Sequence, residues 1–255
     1  MTLSPSTPTG TAEAGPGDFP SIATAGVDAF LIRFGHRLTE PANRAALAFR
    51  AAAEAQDWPG VRELSTALTS VLLRFDLRAT DHATLRAQLQ ALLASRDWQA
   101  AALPEGRRLW QVPAVFGTDL APQLDEAAAL AGLSPAQAVA ELTAAPLRVQ
   151  TIGFAPGQPY LGQLPPAWNI PRQAGLTPRV PEGALTVAIR QVVLFSVASP
   201  TGWRHVGQTA LRLFDPARAE PFLLRPGDGV LFRPVDREGL EAARAGPGPE
   251  ARPWR

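Results

Sequence analysis

From Leu147 onward the chain reads as short β-rich runs: LRVQTIGF (147–154), LTVAI (185–189), VVLFSVA (192–198), ALRLF (210–214) and GVLF (229–232). Between them stand the clusters APGQP (155–159), LPP (164–166), SPTGW (199–203) and RPGDG (225–229). Val, Ile, Leu and Phe pack well on a pleated, buried surface, while Pro and Gly supply the dihedrals that turns demand. Several short strands punctuated in this way predict an all-β barrel or sandwich over 146–238.

Before residue 145 the pattern changes. VDAFLIRF (27–34), Val61 to Leu64, TSVLLRF (69–75) and RLWQV (108–112) read as four strands. Pro41 opens PANRAALAFRAAAEAQ, which places Ala45, Leu47, Ala48, Ala52 and Ala55 on one helical face. A second helix, capped by Asp81, carries Leu85, Leu89, Leu92 and Leu93 at helical spacing. The order β-α-β-β-α-β predicts a ferredoxin-like split βαβ domain over 26–115. Residues 116–145 read as a helical connection: Leu120 to Ala131 has an apolar face, and Ser134-Pro135-Ala136-Gln137 fits a capping box. Segments 1–25 and 239–255 are rich in Pro and Gly and are expected to be flexible tails. The fold class expected is therefore α+β, with the split βαβ domain followed by a β domain.

Composition narrows the chemistry. All 24 basic residues are Arg, so Schiff-base chemistry and a P-loop lysine are excluded. With no Cys, thiol catalysis, Cys-ligated zinc and disulfides are excluded too. The formal net charge of +1 offers no field for nucleic acid or an anionic membrane. Neither a secretory signal nor an apolar run long enough to span a bilayer is present, so the expected location is the cytoplasm. Three His remain, and His36 and His82 have no partner at metal-ligand spacing.

The β half resembles the allophanate hydrolase subunit 1 family, which includes the B-type subunits of 5-oxoprolinase and the KipI-type proteins. The resemblance is carried by GFAPGQPYLGQLP (153–165), IPR (170–172), PRVPEG (178–183), SPTGW (199–203), VGQTALRLFDP (206–216) and PGDGVLF (226–232). FLIRFG (30–35) and SVLLRFD (70–76) add weaker similarity. The chain departs from the usual family pattern at Gln158 and Thr201, and has Leu142 and Leu147 where many members carry a His and a Tyr. The resemblance implies a cyclophilin-like β-barrel as the second domain. It implies a subunit, inactive alone, of an amidohydrolase complex that opens 5-oxoproline to glutamate with ATP. The partners implied are a second cyclophilin-like subunit, related to allophanate hydrolase subunit 2 and to the C-type subunits of 5-oxoprolinase, and a third 5-oxoprolinase subunit. ATP is used by the complex, and no P-loop for it is expected in this chain. The alternative that the resemblance allows is a KipI-type inhibitor of a sensor histidine kinase, without catalysis.

Eight residues are candidates for substrate binding. Gly157 sits in a Gly/Pro loop whose main-chain N–H groups can approach a ligand closely. Tyr160, the single tyrosine, offers a hydroxyl to a lactam carbonyl or to a main-chain partner. Arg172 and Arg179 offer guanidinium forks to a substrate carboxylate, or are solvated loop residues. His205 is able to move a proton near neutral pH, or is a surface or interface residue. Gln208 and Thr209 offer amide and hydroxyl groups to a planar ligand or face solvent. Phe154, like Trp203, walls a pocket or fills the barrel. Asp228 in PGDG reads as a structural turn residue.

Overall fold

In the computed structural model, which describes residues 19–254, Phe30, Ile32 and Phe34 alternate along one strand and Val71, Leu73 and Phe75 along its neighbour. Residues two apart on a strand share a face, so these six side chains form one apolar surface. The elements are β1 (Ser21–Thr24), β2 (Ala29–Arg33), α1 (Glu40–Glu54), β3 (Val61–Ala67), β4 (Ser70–Phe75) and α2 (His82–Ala94). The sheet order is β1-β2-β4-β3, with Phe30 opposite Leu73 and Ile32 opposite Val71. Ala45, Ala46 and Phe49 of α1, and Leu85 and Leu89 of α2, close the core over that face. Both helices begin as their sequences dictate: Thr39 Oγ1 accepts from the Ala42 N–H at 3.3 Å and Asp81 Oδ1 from the Thr84 N–H at 2.8 Å.

One strand of this sheet differs from expectation. Its fourth place is taken by β1, antiparallel to β2, and not by residues 108–112. Residues 21–24, expected within a flexible tail, thus form a strand, and the part of that tail before Phe19 lies outside the described residues. Arg108–Phe116 is β5, nine residues long, and it belongs to the second sheet. Local pattern identifies a strand, whereas the choice of sheet is made by tertiary partners.

The second unit contains β5, α3 (Leu124–Leu130), α4 (Pro135–Thr143), β6 (Leu147–Ile152), β7 (Pro159–Gly162), β8 (Thr177–Val180), β9 (Ala184–Ala188), β10 (Gln191–Leu194), β11 (Ser199–Thr201), β12 (Arg204–Thr209), β13 (Gly229–Pro234), α5 (Arg237–Ala245) and β14 (Ala251–Pro253). Seven strands close a barrel in the order β12-β9-β10-β7-β6-β13-β5, with β5 pairing back to β12. Closure leaves no free sheet edge around the ring. Val112, Val149, Leu161, Leu185, Val187, Val192, Leu194, Val206, Val230 and Phe232 fill the interior, and α3 and α4 add Leu124, Ala127, Ala128, Ala138 and Leu142. Leu142 and Leu147, singled out above as departures from the family pattern, are core residues of this barrel.

β9 and β10 are buried on both faces. Leu185, Val187, Val192 and Leu194 point inward, while Ala184, Ala188, Val193 and Phe195 pack outside against Val180 and Trp203. That explains the apolar run VVLF and the near-continuous LTVA, since a half-exposed strand would alternate with polar residues. β8 and β11 pair only with each other, as a two-stranded ribbon over this outer face.

Three other expectations are corrected. The strand expected at 210–214 is not formed: the preceding residues 204–209 make β12, and Leu211 and Leu213 reach the core from a segment whose strand-like contact is the Phe214–Phe222 bridge. Residues 159–162, expected as part of a tight loop, form β7. The expected tail from 239 holds most of α5, capped by Asp236, and β14, which pairs with β5. Behind that pairing, the Arg107 guanidinium lies 4.9 Å over the Trp254 ring.

Asp228 ties the barrel at the start of β13. Its buried carboxylate accepts from Arg108 N at 3.0 Å, Arg108 Nη2 at 2.7 Å, Trp110 Nε1 at 3.2 Å and Arg225 N at 3.1 Å. A buried charge survives only when so paired, which makes this side chain structural.

Candidate functional site

β12 is interrupted where its chemistry lies. His205 pairs with Thr186 and Gly207 with Leu185 on β9, so Val206 is an extra residue and the strand bulges there. In a regular strand residues 206 and 208 share a face, whereas a bulge re-aims the side chains that follow. Val206 accordingly enters the barrel core, while both His205 and Gln208 line a cavity of about 580 Å³. Arg179, Thr177, Gln123, Pro181, Asp119 and Arg244 complete much of its wall.

Gln208 is held in one orientation. Its Nε2 donates to Glu182 O at 2.8 Å and Thr209 O at 2.9 Å, two groups that only accept. Oε1 must therefore be the other end, and it is buried without a hydrogen-bond partner. The amide is 1% exposed. His205, 5% exposed, likewise has an Nε2 that no group satisfies with good geometry. Burial pushes the imidazole pKa below its ordinary value, offset in part by the Gly207 carbonyl and the Gln208 side chain beside the ring. The ring is therefore neutral at pH 7. An unpaired buried polar atom costs about 1–3 kcal/mol, and two such atoms stand side by side on this wall.

The supporting shell is an amide network. Gln123 Oε1 accepts from His205 N at 2.9 Å, and Gln123 Nε2 donates to Gln173 Oε1 at 2.8 Å. Gln173 Nε2 in turn donates to Trp203 O at 3.0 Å. Arg204 is nearly buried between Glu126 Oε1 at 2.8 Å and Pro171 O at 2.6 Å. Gly183 lets the β8–β9 turn approach β12: at φ +78°, a Cβ there would stand 2.5 Å from Thr209 O and 3.0 Å from Gln208 Nε2. At the rim, the Arg237 guanidinium beside Asp119 holds that carboxyl below the usual range, while Arg179 has no ion pair or hydrogen bond among the described residues.

A second, smaller hollow of about 100 Å³ lies nearby, lined by Tyr160, Arg172, Gln158, Trp203, Phe154 and Leu176 among others. The Tyr160 and Trp203 rings meet edge to face with centroids 6.1 Å apart. The β8–β11 ribbon contributes to both cavities: Thr177 and Arg179 line the larger one and Thr201 lines the hollow, while Val180 packs beside Trp203.

The eight sequence candidates thus divide. Arg179, His205 and Gln208 come together at the large cavity, and Phe154, Tyr160 and Arg172 at the hollow. Thr209 lines neither, because its hydroxyl donates to Gly183 O at 2.9 Å and accepts from Leu211 N at 3.3 Å. Gly157 lines neither as well. A Cβ on it would stand 2.8 Å from Leu213 O, so its close approach is to its own chain. Gln123, Gln173 and Arg204 are not singled out by sequence, since polar residues in helix-start and loop contexts carry no local signal of a shared network. Gln158 stands out there only as a departure from the family pattern.

Comparison with known proteins places this geometry. Residues 20–224 match the family described as carboxyltransferase domain, subdomain C and D. The B-type subunit of 5-oxoprolinase from Bacillus subtilis (strain 168) is 30% identical over 233 residues, covering 87% of this chain and 95% of that protein. The solved structure of TTHA0988 superposes with a TM-score of 0.69 at 32% identity over 82% of this chain, and this chain spans only 40% of that one. Urea amidolyase of K. lactis, at 19% identity, shares the fold over 92% of this chain and 16% of its own, with a TM-score of 0.70. By residues 20–224 and by its match along the Bacillus protein, the chain belongs to the carboxyltransferase subdomain C and D family, among the B-type subunits of 5-oxoprolinase.

Proposed function

We propose that this chain is the lactam-binding subunit of an ATP-dependent 5-oxoprolinase, working with a second cyclophilin-like subunit and a third subunit. The observation that carries the reading is the pair of unpartnered groups, His205 Nε2 and Gln208 Oε1, on one wall of a cavity that Arg179 also lines. A lactam holds its amide cis, so N–H and C=O sit side by side on one edge. Gln208 Oε1 accepts from the lactam N–H, and the His205 ring gives up its contacts with the Gly207 carbonyl and the Gln208 side chain to donate its single N–H, at Nε2, to the lactam oxygen. The Arg179 fork takes the carboxylate of 5-oxoproline. Because His205 is neutral, it polarises the carbonyl by hydrogen bonding and remains available to pass a proton as the ring opens. ATP, when bound in the complex, supplies the free energy of ring opening. The chain has no Lys and hence no P-loop, so the nucleotide phosphates are held by other means. The cavity exceeds the volume of one five-membered lactam and leaves room for a second reactant.

The test is reconstitution. The chain mixed with its two partner subunits, ATP and 5-oxoproline should release glutamate, and the chain alone should release none. Arg179→Ala should raise KM about 10–100-fold, the worth of a charge-assisted pair. His205→Gln should lower kcat about 10²–10⁴-fold with a smaller change in KM. A complete assembly that releases no glutamate overturns the substrate assignment. Full activity in both variants overturns the placement.

A further inference from the structure

The smaller hollow has its own unmet chemistry. Arg172 makes no ion pair or hydrogen bond among the described residues, and its guanidinium lies over Gly202, where a Cβ would stand 3.6 Å from Nε. Gln158 is 1% exposed, yet its Oε1 is buried with no partner. Its main chain is locked, with N donating to Ala155 O at 3.1 Å and O accepting from Gly153 N at 3.0 Å. Only the side-chain amide is therefore free to turn either end to a ligand. Phe154 at the lip is 77% exposed and held at φ +73°, a strained backbone for a residue with a Cβ. Leu176 opposite is 65% exposed. Large exposed apolar side chains beside an unpaired guanidinium and two aromatic walls form a binding constellation.

We propose that this hollow is a second ligand site, separate from the lactam cavity, for a compact monocarboxylate with an apolar body. The carboxylate lies against Arg172 and the Gln158 amide. The apolar part sits between Tyr160 and Trp203 and covers Phe154 and Leu176. A volume near 100 Å³ limits the body to about one small ring.

Calorimetric titration of the full chain tests this with cyclopentanecarboxylate and its neutral isostere, cyclopentanecarboxamide. The carboxylate should bind saturably and the carboxamide at least ~10-fold more weakly. Arg172→Ala should weaken the carboxylate at least ~10-fold, Arg172→Lys should recover part of the loss, and in Arg179→Ala the Arg172-dependent binding step should persist. Arg172 is exposed on a loop, so an unchanged thermal midpoint is expected for both of its variants and verifies folding. No saturable binding up to ~10 mM, or equal affinity in Arg172→Ala, overturns the proposal. A parallel titration with 5-oxoproline separates the two sites. Dependence on Arg179 alone supports the pair of assignments. Dependence on Arg172 alone makes the hollow the lactam pocket and overturns this inference. Indifference to both arginines, with the ring carboxylate still dependent on Arg172, removes only the lactam placement and leaves the second site standing.

Discussion

The two sheets of this molecule solve the burial of polar groups in opposite ways. Among the described residues, the helix-backed sheet buries one polar side chain, Asn43. The barrel unit buries Arg148, Gln150, Gln158, Gln191, Arg204, His205, Gln208 and Asp228, besides several hydroxyl residues. A core of Phe, Leu, Ile and Ala needs only volume and shape, whereas each buried amide or charge needs a partner in a fixed place. The first sheet is thus a packing solution. The barrel is a hydrogen-bonding solution, and three of its unpartnered side-chain atoms, Gln158 Oε1, His205 Nε2 and Gln208 Oε1, belong to residues that line the two cavities.

Substitutions should respond accordingly. Phe30→Ala in the first core should cost about 3–5 kcal/mol in chemical unfolding, while ligand titrations on the folded fraction remain unchanged. Asp228→Ala should also cost about 3–5 kcal/mol, because it strands the Arg108 guanidinium and the Trp110 N–H, and it should loosen β14 first by hydrogen exchange. If Asp228→Ala is harmless, the barrel does not depend on that tie. Gly183→Ala should cost about 1–2 kcal/mol for the left-handed backbone alone, and more from its clash with Thr209 O. Unlike Phe30→Ala it should weaken 5-oxoproline binding, by displacing the Gln208 amide. In the β9–β10 turn, Ile189 and Arg190 both have positive φ, at 44° and 64°. Ile189→Gly should therefore raise stability by about 0.5–1 kcal/mol, read as a small increase in Tm.

The smallest effect expected is a pH slope. The folded-state pKa of His205 is lowered, so below its unfolded value of about 6.5 the unfolded chain binds a proton that the folded chain refuses. Stability should fall as pH drops from about 6.5 toward the folded pKa, and then level off. His205→Gln should flatten that part of the profile relative to the parent. Identical profiles would mean that His205 protonates as easily in the barrel as in the unfolded chain.

Much of this architecture is legible in the sequence because it depends on local physics. The caps at Asp81 and Ser134 and the buried runs at 185–188 and 192–195 each announce themselves. What the sequence does not show are choices made between distant partners. SIAT at 21–24 is too short to signal a strand and gains its place from β2. β14 is exposed along its length and is held by its ladder to β5. α5 is readable in principle, with Asp236 at its N-cap, Glu238 in its first turn and Arg244 in its last. For the site, Arg179, His205 and Gln208 are accessible as residue types. Their convergence is not, because it depends on a one-residue bulge at Val206 that reverses which face Gln208 occupies. The split of the candidates into two chambers is invisible for the same reason.

That split has a mechanical side. The β8–β11 ribbon is two strands wide and rests on the outer face of the barrel through Val180. Thr177 and Arg179 on one strand and Thr201 on the other belong to the walls of different cavities, so a change in the pairing of this ribbon is expected to register at both.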